Sequence, residues 1–143
     1  LDGWYLVELR MINAMLFLFP IDEAILISGT ALAQIQKYAG HPSASKIAVS
    51  LRYNLCLLLL KNGRYTETIT RINELIPAAK EAGSYRHLCV CYLRKGFALA
   101  KTGNLEGQLL IDQAFRLIEA ADDQAFKANL ENEYNLLEEA ASS

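Results

Sequence analysis

The chain is 143 residues long, 52% apolar and 21% charged with only three prolines, a composition that excludes disorder and favours a well-packed, mostly helical protein. Lysine and arginine number 14 against 16 acidic residues, a net charge of −2. Such a balance leaves no whole-chain electrostatic footprint for nucleic acid or for an anionic membrane surface.

Seven helices are expected, at about 3–18, 21–39, 44–61, 65–82, 85–101, 105–121 and 123–140, with no strands. The first ends in the most apolar stretch, AMLFLFPIDEAILI. Flanking Asn13 and internal Pro20 keep it short of the roughly 18 apolar residues a membrane span requires. Past Pro20, Asp22-Glu23-Ala24 place acidic side chains in the first turn of the second helix, where they complement its N-terminal dipole. Gly40-His41-Pro42-Ser43 then stops that helix, and Ser43 or Ser45 can cap the third.

The central stretch runs from Val49 to Lys80. Its apolar run through Leu55 and Leu57 to Leu60 ends at Lys61, Asn62-Gly63 supplies a turn, and Tyr65 and Ile69 restart an apolar face at helical spacing. Gly83 and Ser84 repeat the punctuation as a C′ glycine and an N-cap. KNGRYTETI at Lys61 recurs as KTGNLEGQL at Lys101, with Gly63 and Gly103 separated by 103 − 63 = 40 residues. A helix pair with two turns needs about that length. Asp122 or Asp123 caps the last helix. Short linkers force consecutive helices to pack antiparallel, so the expected fold is all-α, a right-handed superhelix of helix hairpins in a single domain over 1–143.

Cys56, Cys89 and Cys91 are an odd number of thiols and argue for a reducing, cytoplasmic setting over a disulfide framework. Cys89 and Cys91 project about 200° apart on a helix, which prevents joint chelation of a metal, so all three read as small core residues. No cofactor or metal site is expected. An enzyme is disfavoured: His41 and His87 lack a nucleophile at a recognisable turn, and no phosphate loop, HExxH pair or calcium loop occurs. Glu131, Glu133, Glu138 and Glu139 read as a solvated face of the final helix. Because the chain starts at Leu1 and not at methionine, it reads as a fragment lacking an N-terminal part.

Against the tetratricopeptide consensus, the central repeat supplies Asn54-Leu55, the small Cys56, Lys61-Asn62-Gly63, Tyr65, Glu67 and Ile69. It departs from that consensus at Thr68, where alanine is preferred, and at Pro77, which lies too early. The third repeat keeps Gly96, Gly103 and Ala114 but has Lys95 in place of leucine. Over nearly its full length the pattern resembles the C-terminal domain of the Rgg/MutR-type transcription regulators, relatives of PlcR. Trp4, Glu8-Leu9, Asn13, Arg52-Tyr53-Asn54-Leu55, Gly96 and KTGNLEG carry that resemblance. It implies degenerate repeats that bind a short peptide pheromone, a homodimer with the C-terminal helices among its contacts, and DNA binding only through an N-terminal helix-turn-helix that this sequence does not contain. The apolar stripe Leu130, Leu136 and Leu137 would suit such a dimer contact.

In tetratricopeptide folds the first helix of each hairpin lines a concave groove. Aligning the three turns puts Arg10, Asn54 and Arg94 in one row and Asn13, Leu57 and Phe97 in a second, one helical turn further on. An asparagine amide can pair with an extended peptide backbone, arginine can fork onto a carboxylate, and Leu57 and Phe97 can form apolar pockets. Tyr53 can add its hydroxyl. The structural alternatives are an Asn54 bonded across to the next hairpin, solvated Arg10 and Arg94, and core positions for Leu57 and Phe97. Arg52 falls where an apolar residue belongs, so it either snorkels or marks a register one residue off. The functional expectation is a ligand-sensing and dimerisation domain of a regulator. The contrasting one is a constitutive repeat scaffold that grips a partner protein's tail.

Overall fold

The computed structural model describes the backbone of residues 2–143 and the side chains of residues 6–143. Helices α1 (Asp2–Met15), α2 (Ile21–Ile35), α3 (Pro42–Lys61), α4 (Tyr65–Glu81), α5 (Tyr85–Lys101), α6 (Glu106–Ala121) and α7 (Gln124–Ser142) make an all-α helical-repeat fold, with no strand among the described residues. The side chain of Trp4, invoked above, lies outside those residues. Two compact units divide the chain, Leu1–Leu58 and Leu59–Ser143, and the boundary falls within α3.

In the first unit, Leu6, Leu9 and Leu16 bury themselves with Ala24, Ala31 and Ile35 of α2 and Ile47 and Leu51 of α3. Fully burying such a leucine or isoleucine contributes about 1.5–3 kcal/mol. No glycine closes α1 or α2, and each runs out into a single 3₁₀ turn, Leu16–Leu18 and Gln36–Tyr38. Phe19, with ψ 147°, is extended ahead of Pro20 because the proline ring excludes the helical region for the residue before it. The third helix starts earlier than expected. Pro42 takes its first position, where a missing N–H costs nothing. The cap is His41, whose Nδ1 accepts from the Ser43 amide at 3.1 Å. Ser43 and Ser45 are therefore inside the helix and do not cap it. By length and composition α3 could cross a membrane, but half of its most apolar window is buried within the protein, as expected of a core helix. Arg52 is exposed while Leu51 and Leu55 are buried, which settles the register question one residue toward Leu51.

The second unit repeats one helix ending. The Leu59, Ala79 and Leu99 carbonyls accept from the Arg64, Ser84 and Asn104 amides at 2.9, 3.1 and 2.9 Å. Between each pair stands a left-handed glycine: Gly63, Gly83 or Gly103, with φ of 71°, 66° and 84°. This six-residue closure satisfies carbonyls that a helix end leaves open. After α6 a non-glycine, Asp122, takes the same left-handed conformation at φ 52°. Ser84 caps α5 as expected, accepting from the His87 amide at 3.4 Å.

Helices α5 and α6 approach most closely at two glycines. A Cβ on Gly96 would lie 2.6 Å from the Gly107 carbonyl oxygen, and one on Gly107 would strike the Gly96 carbonyl and the Ala100 amide. Packing on several sides encloses α5, so Cys89 and Cys91 are both buried despite pointing in opposing directions. Burial pushes the Cys89 thiol up to about 11. The buried Thr68, which departs from the repeat consensus, returns its hydroxyl to the Arg64 carbonyl at 2.8 Å and thereby satisfies it within the helix. Leu130 and Leu137 are core residues while Leu136 is exposed, so the three do not form one free stripe.

Candidate functional site

The odd-numbered helices carry the candidate residues, and in each unit polar side chains tie one of these helices to the next. Within the first unit, Asn54 of α3 donates its amide to Asn13 Oδ1 of α1 at 2.9 Å. Asn13 in turn donates to Ser50 Oγ, also at 2.9 Å. Asn13 and Asn54 are thus brought together directly, both half-buried. Arg10, expected in the row with Asn54, is exposed. The bonded counterpart of Asn54 is 41 residues upstream, one helical turn beyond Arg10. Tyr53 and Leu57, four residues apart on α3, are half-buried.

The second unit uses charge for the same purpose. Arg94 of α5 forks onto Glu133 of α7, with Nε to Oε2 at 3.0 Å and the terminal nitrogen to Oε1 at 2.8 Å. The side chains are only 8% and 18% exposed. In so sheltered a place the pair orients α7, and removing one member leaves an uncompensated charge. One turn on, Phe97 is 1% exposed. Its ring meets Tyr134 edge-on at 6.1 Å and Tyr65 at 6.4 Å, and the Lys101 ammonium lies 5.2 Å from its centroid. Lys101 also reaches Glu138 at 3.3 Å. Phe97 is therefore enclosed core, and Arg94 is a buried ion-pair member and not a solvated charge. Glu133 correspondingly leaves the solvated face to which sequence assigned it, whereas Glu138 keeps 41% of its side chain exposed.

A second junction joins the first turns of α5 and α7. Asp123 accepts the Phe126 amide at 3.2 Å as the N-cap of α7. The same carboxylate accepts from the Tyr85 hydroxyl and from the Arg86 guanidinium, the latter at 2.6 Å. Arg86 also covers the Phe126 ring at 5.3 Å. The Tyr85 hydrogen bond and the Arg86 contacts hold Asp123 below the usual carboxylate range. Sequence reasoning identified the cap but missed this cluster and the Glu133 and Tyr134 contacts. The available signal was spacing: Arg94 to Glu133 is 39 residues and Arg86 to Asp123 is 37, close to the 40-residue period of the glycine turns.

Alternating helices of stacked antiparallel hairpins, tied to each other by side chains one repeat apart, define a helical-repeat domain. The profile of the family described as HTH-type transcriptional regulator Rgg, C-terminal domain, matches residues 1–132, and the chain belongs to that family. No curated protein and no solved structure matches the chain. The chain accordingly corresponds to the C-terminal domain of this family of transcriptional regulators.

Proposed function

We propose that this domain senses a short peptide and dimerises, and that it passes ligand occupancy to the DNA-binding part of a cytoplasmic regulator as a population shift. The observation that carries this reading is the set of polar groups concentrated on the odd-numbered helices. Asn13 and Asn54 pair side chain to side chain in the first unit, and Arg94 presents a fork to a carboxylate in the second. Amide pairs of this kind exchange readily for a peptide backbone, because each group donates and accepts. An arginine that holds a carboxylate as a fork has the geometry to hold a peptide's terminus, which would take the place of Glu133. Tyr53, Leu57 and the exposed Arg10 extend the set in the first unit, and Phe97 supports Arg94 in the second.

Calorimetric titration with short peptides secreted by the source organism tests the proposal. Asn54→Ala is expected to weaken binding at least about fivefold, roughly the worth of one hydrogen bond. For Arg94, the double variant Arg94→Met/Glu133→Leu avoids stranding a buried carboxylate. Unchanged affinity in both variants sinks the peptide reading. Capture of a partner protein's tail by those unaltered variants would instead point to a constitutive scaffold.

A further inference from the structure

Between α6 and α7 of the second unit lies an open crevice of about 400 Å³, lined by Phe115 and Glu119 on one side and by Lys127, Glu131, Tyr134 and Asn135 on the other. Two aromatic rings supply its apolar surface, and both also pack against the buried core. Its charge does not cancel, since Glu119 and Glu131 oppose the single ammonium of Lys127. Glu119 pairs with Lys127 directly. Glu131 acts on that ammonium only through space, and the Glu119 hydrogen bond followed by these charges holds Lys127 above its ordinary range. The crevice therefore already stabilises one cation, and the exposed Glu131 carboxylate remains beside the rings.

We propose that this crevice is a subsite for a basic side chain of the peptide ligand, whose cationic group stacks on Phe115 and Tyr134 and is balanced by Glu131. The assignment rests on the peptide reading above. An anion meets an excess of negative charge here, and an apolar group would desolvate Glu131 without compensation. A cation is attracted both by the ring faces and by the carboxylate. Guanidinium fits best, because its plane stacks while its edge forks onto an acid. Tyr134 links the crevice to the residues discussed above, since the same ring meets Phe97 edge-on at 6.1 Å. A peptide whose terminus reaches Arg94 would thus find its cation subsite within the same unit.

The test uses the full chain and two small probes, Nα-acetyl-arginine amide and its neutral isostere Nα-acetyl-citrulline amide, followed by the aromatic proton–carbon NMR signals of Phe115 and Tyr134. The arginine probe is expected to shift both rings saturably and to bind less well as salt is added. The citrulline probe is expected to leave them in place. Glu131→Gln should weaken arginine binding about three- to fivefold, the upper part of the range of an exposed charge pair, and Glu139→Gln should not. Both positions are exposed, so both variants should keep the parent melting temperature. Equal responses to the two probes, or full affinity in Glu131→Gln, overturn the subsite. Because these probes do not depend on the peptide's identity, arginine binding alongside failed peptide titrations would fell the peptide reading and leave the cation site standing.

Discussion

The two units solve one problem by different chemistry. The second ends each of α3, α4 and α5 with a left-handed glycine, brings α5 and α6 together at Gly96 and Gly107, and ties α5 to α7 with a sheltered charge pair. The first closes α1 and α2 with 3₁₀ turns, ties α1 to α3 with neutral amides, and leaves Val7, Met11 and Met15 exposed at four-residue intervals along α1. Regular turns give each helix of the second unit a fixed exit and permit backbones to touch. Where those glycines are missing, the packing is carried by side chains alone, and more apolar surface is left to solvent. Degeneracy of the repeat is thus concentrated in the first unit and is a matter of helix endings more than of core composition.

Three substitutions separate the units by consequence. The largest effect is expected from Glu133→Ala, which strands Arg94 in a sheltered site and should cost about 3 kcal/mol, the lower end of the range for breaking a buried pair, since Glu133 keeps some solvent contact. Urea unfolding measures it, and recovery in the apolar double variant Arg94→Met/Glu133→Leu would confirm that the stranded charge is the cause. Gly107→Ala comes next, at about 1–3 kcal/mol for overpacking, because its Cβ meets backbone atoms that cannot rotate away. Amide hydrogen exchange should place that loss in α5 and α6, with the protection of α1 and α2 unchanged. Uniform loss across both units would mean that the two units unfold as one and differ in no energetic respect. The smallest is Asn13→Ala, which removes two hydrogen bonds of the first unit and should lower stability by about 1 kcal/mol. A drop as large as that of Glu133→Ala would show that the neutral tie carries as much as the charged one.

How much could be read from the residues follows the range of the interactions. Gly63, Gly83, Gly103, Ser84 and Asp123 announced helix ends because turn and cap chemistry acts over a few neighbouring residues, and the seven helices lie close to their expected positions. His41 escaped notice as a cap because imidazole rarely takes that role, and its Nδ1 does so only once Pro42 has set the first turn. Aligning turns set Arg10 level with Asn54, whereas Asn54 bonds Asn13, three residues further along α1, and no local signal in the sequence records that cross-helix contact. Glu133 looked solvated because its burial depends on Arg94, 39 residues away, and no local pattern records such a pairing. The division of the chain within α3 had no compositional mark, since the apolar run from Leu57 to Leu60 crosses it without interruption.

Asp123 performs two tasks with one carboxylate. It closes the first turn of α7 through the Phe126 amide, and it receives Tyr85 and Arg86 from the start of α5. Nucleating α7 and seating it therefore draw on one residue through its two oxygens, Oδ1 for the cap and Oδ2 for the anchorage. Pulling α7 away from α5 strips Oδ2 of its hydroxyl and its one cation, while Oδ1 keeps the Phe126 amide, so the cap travels with the helix.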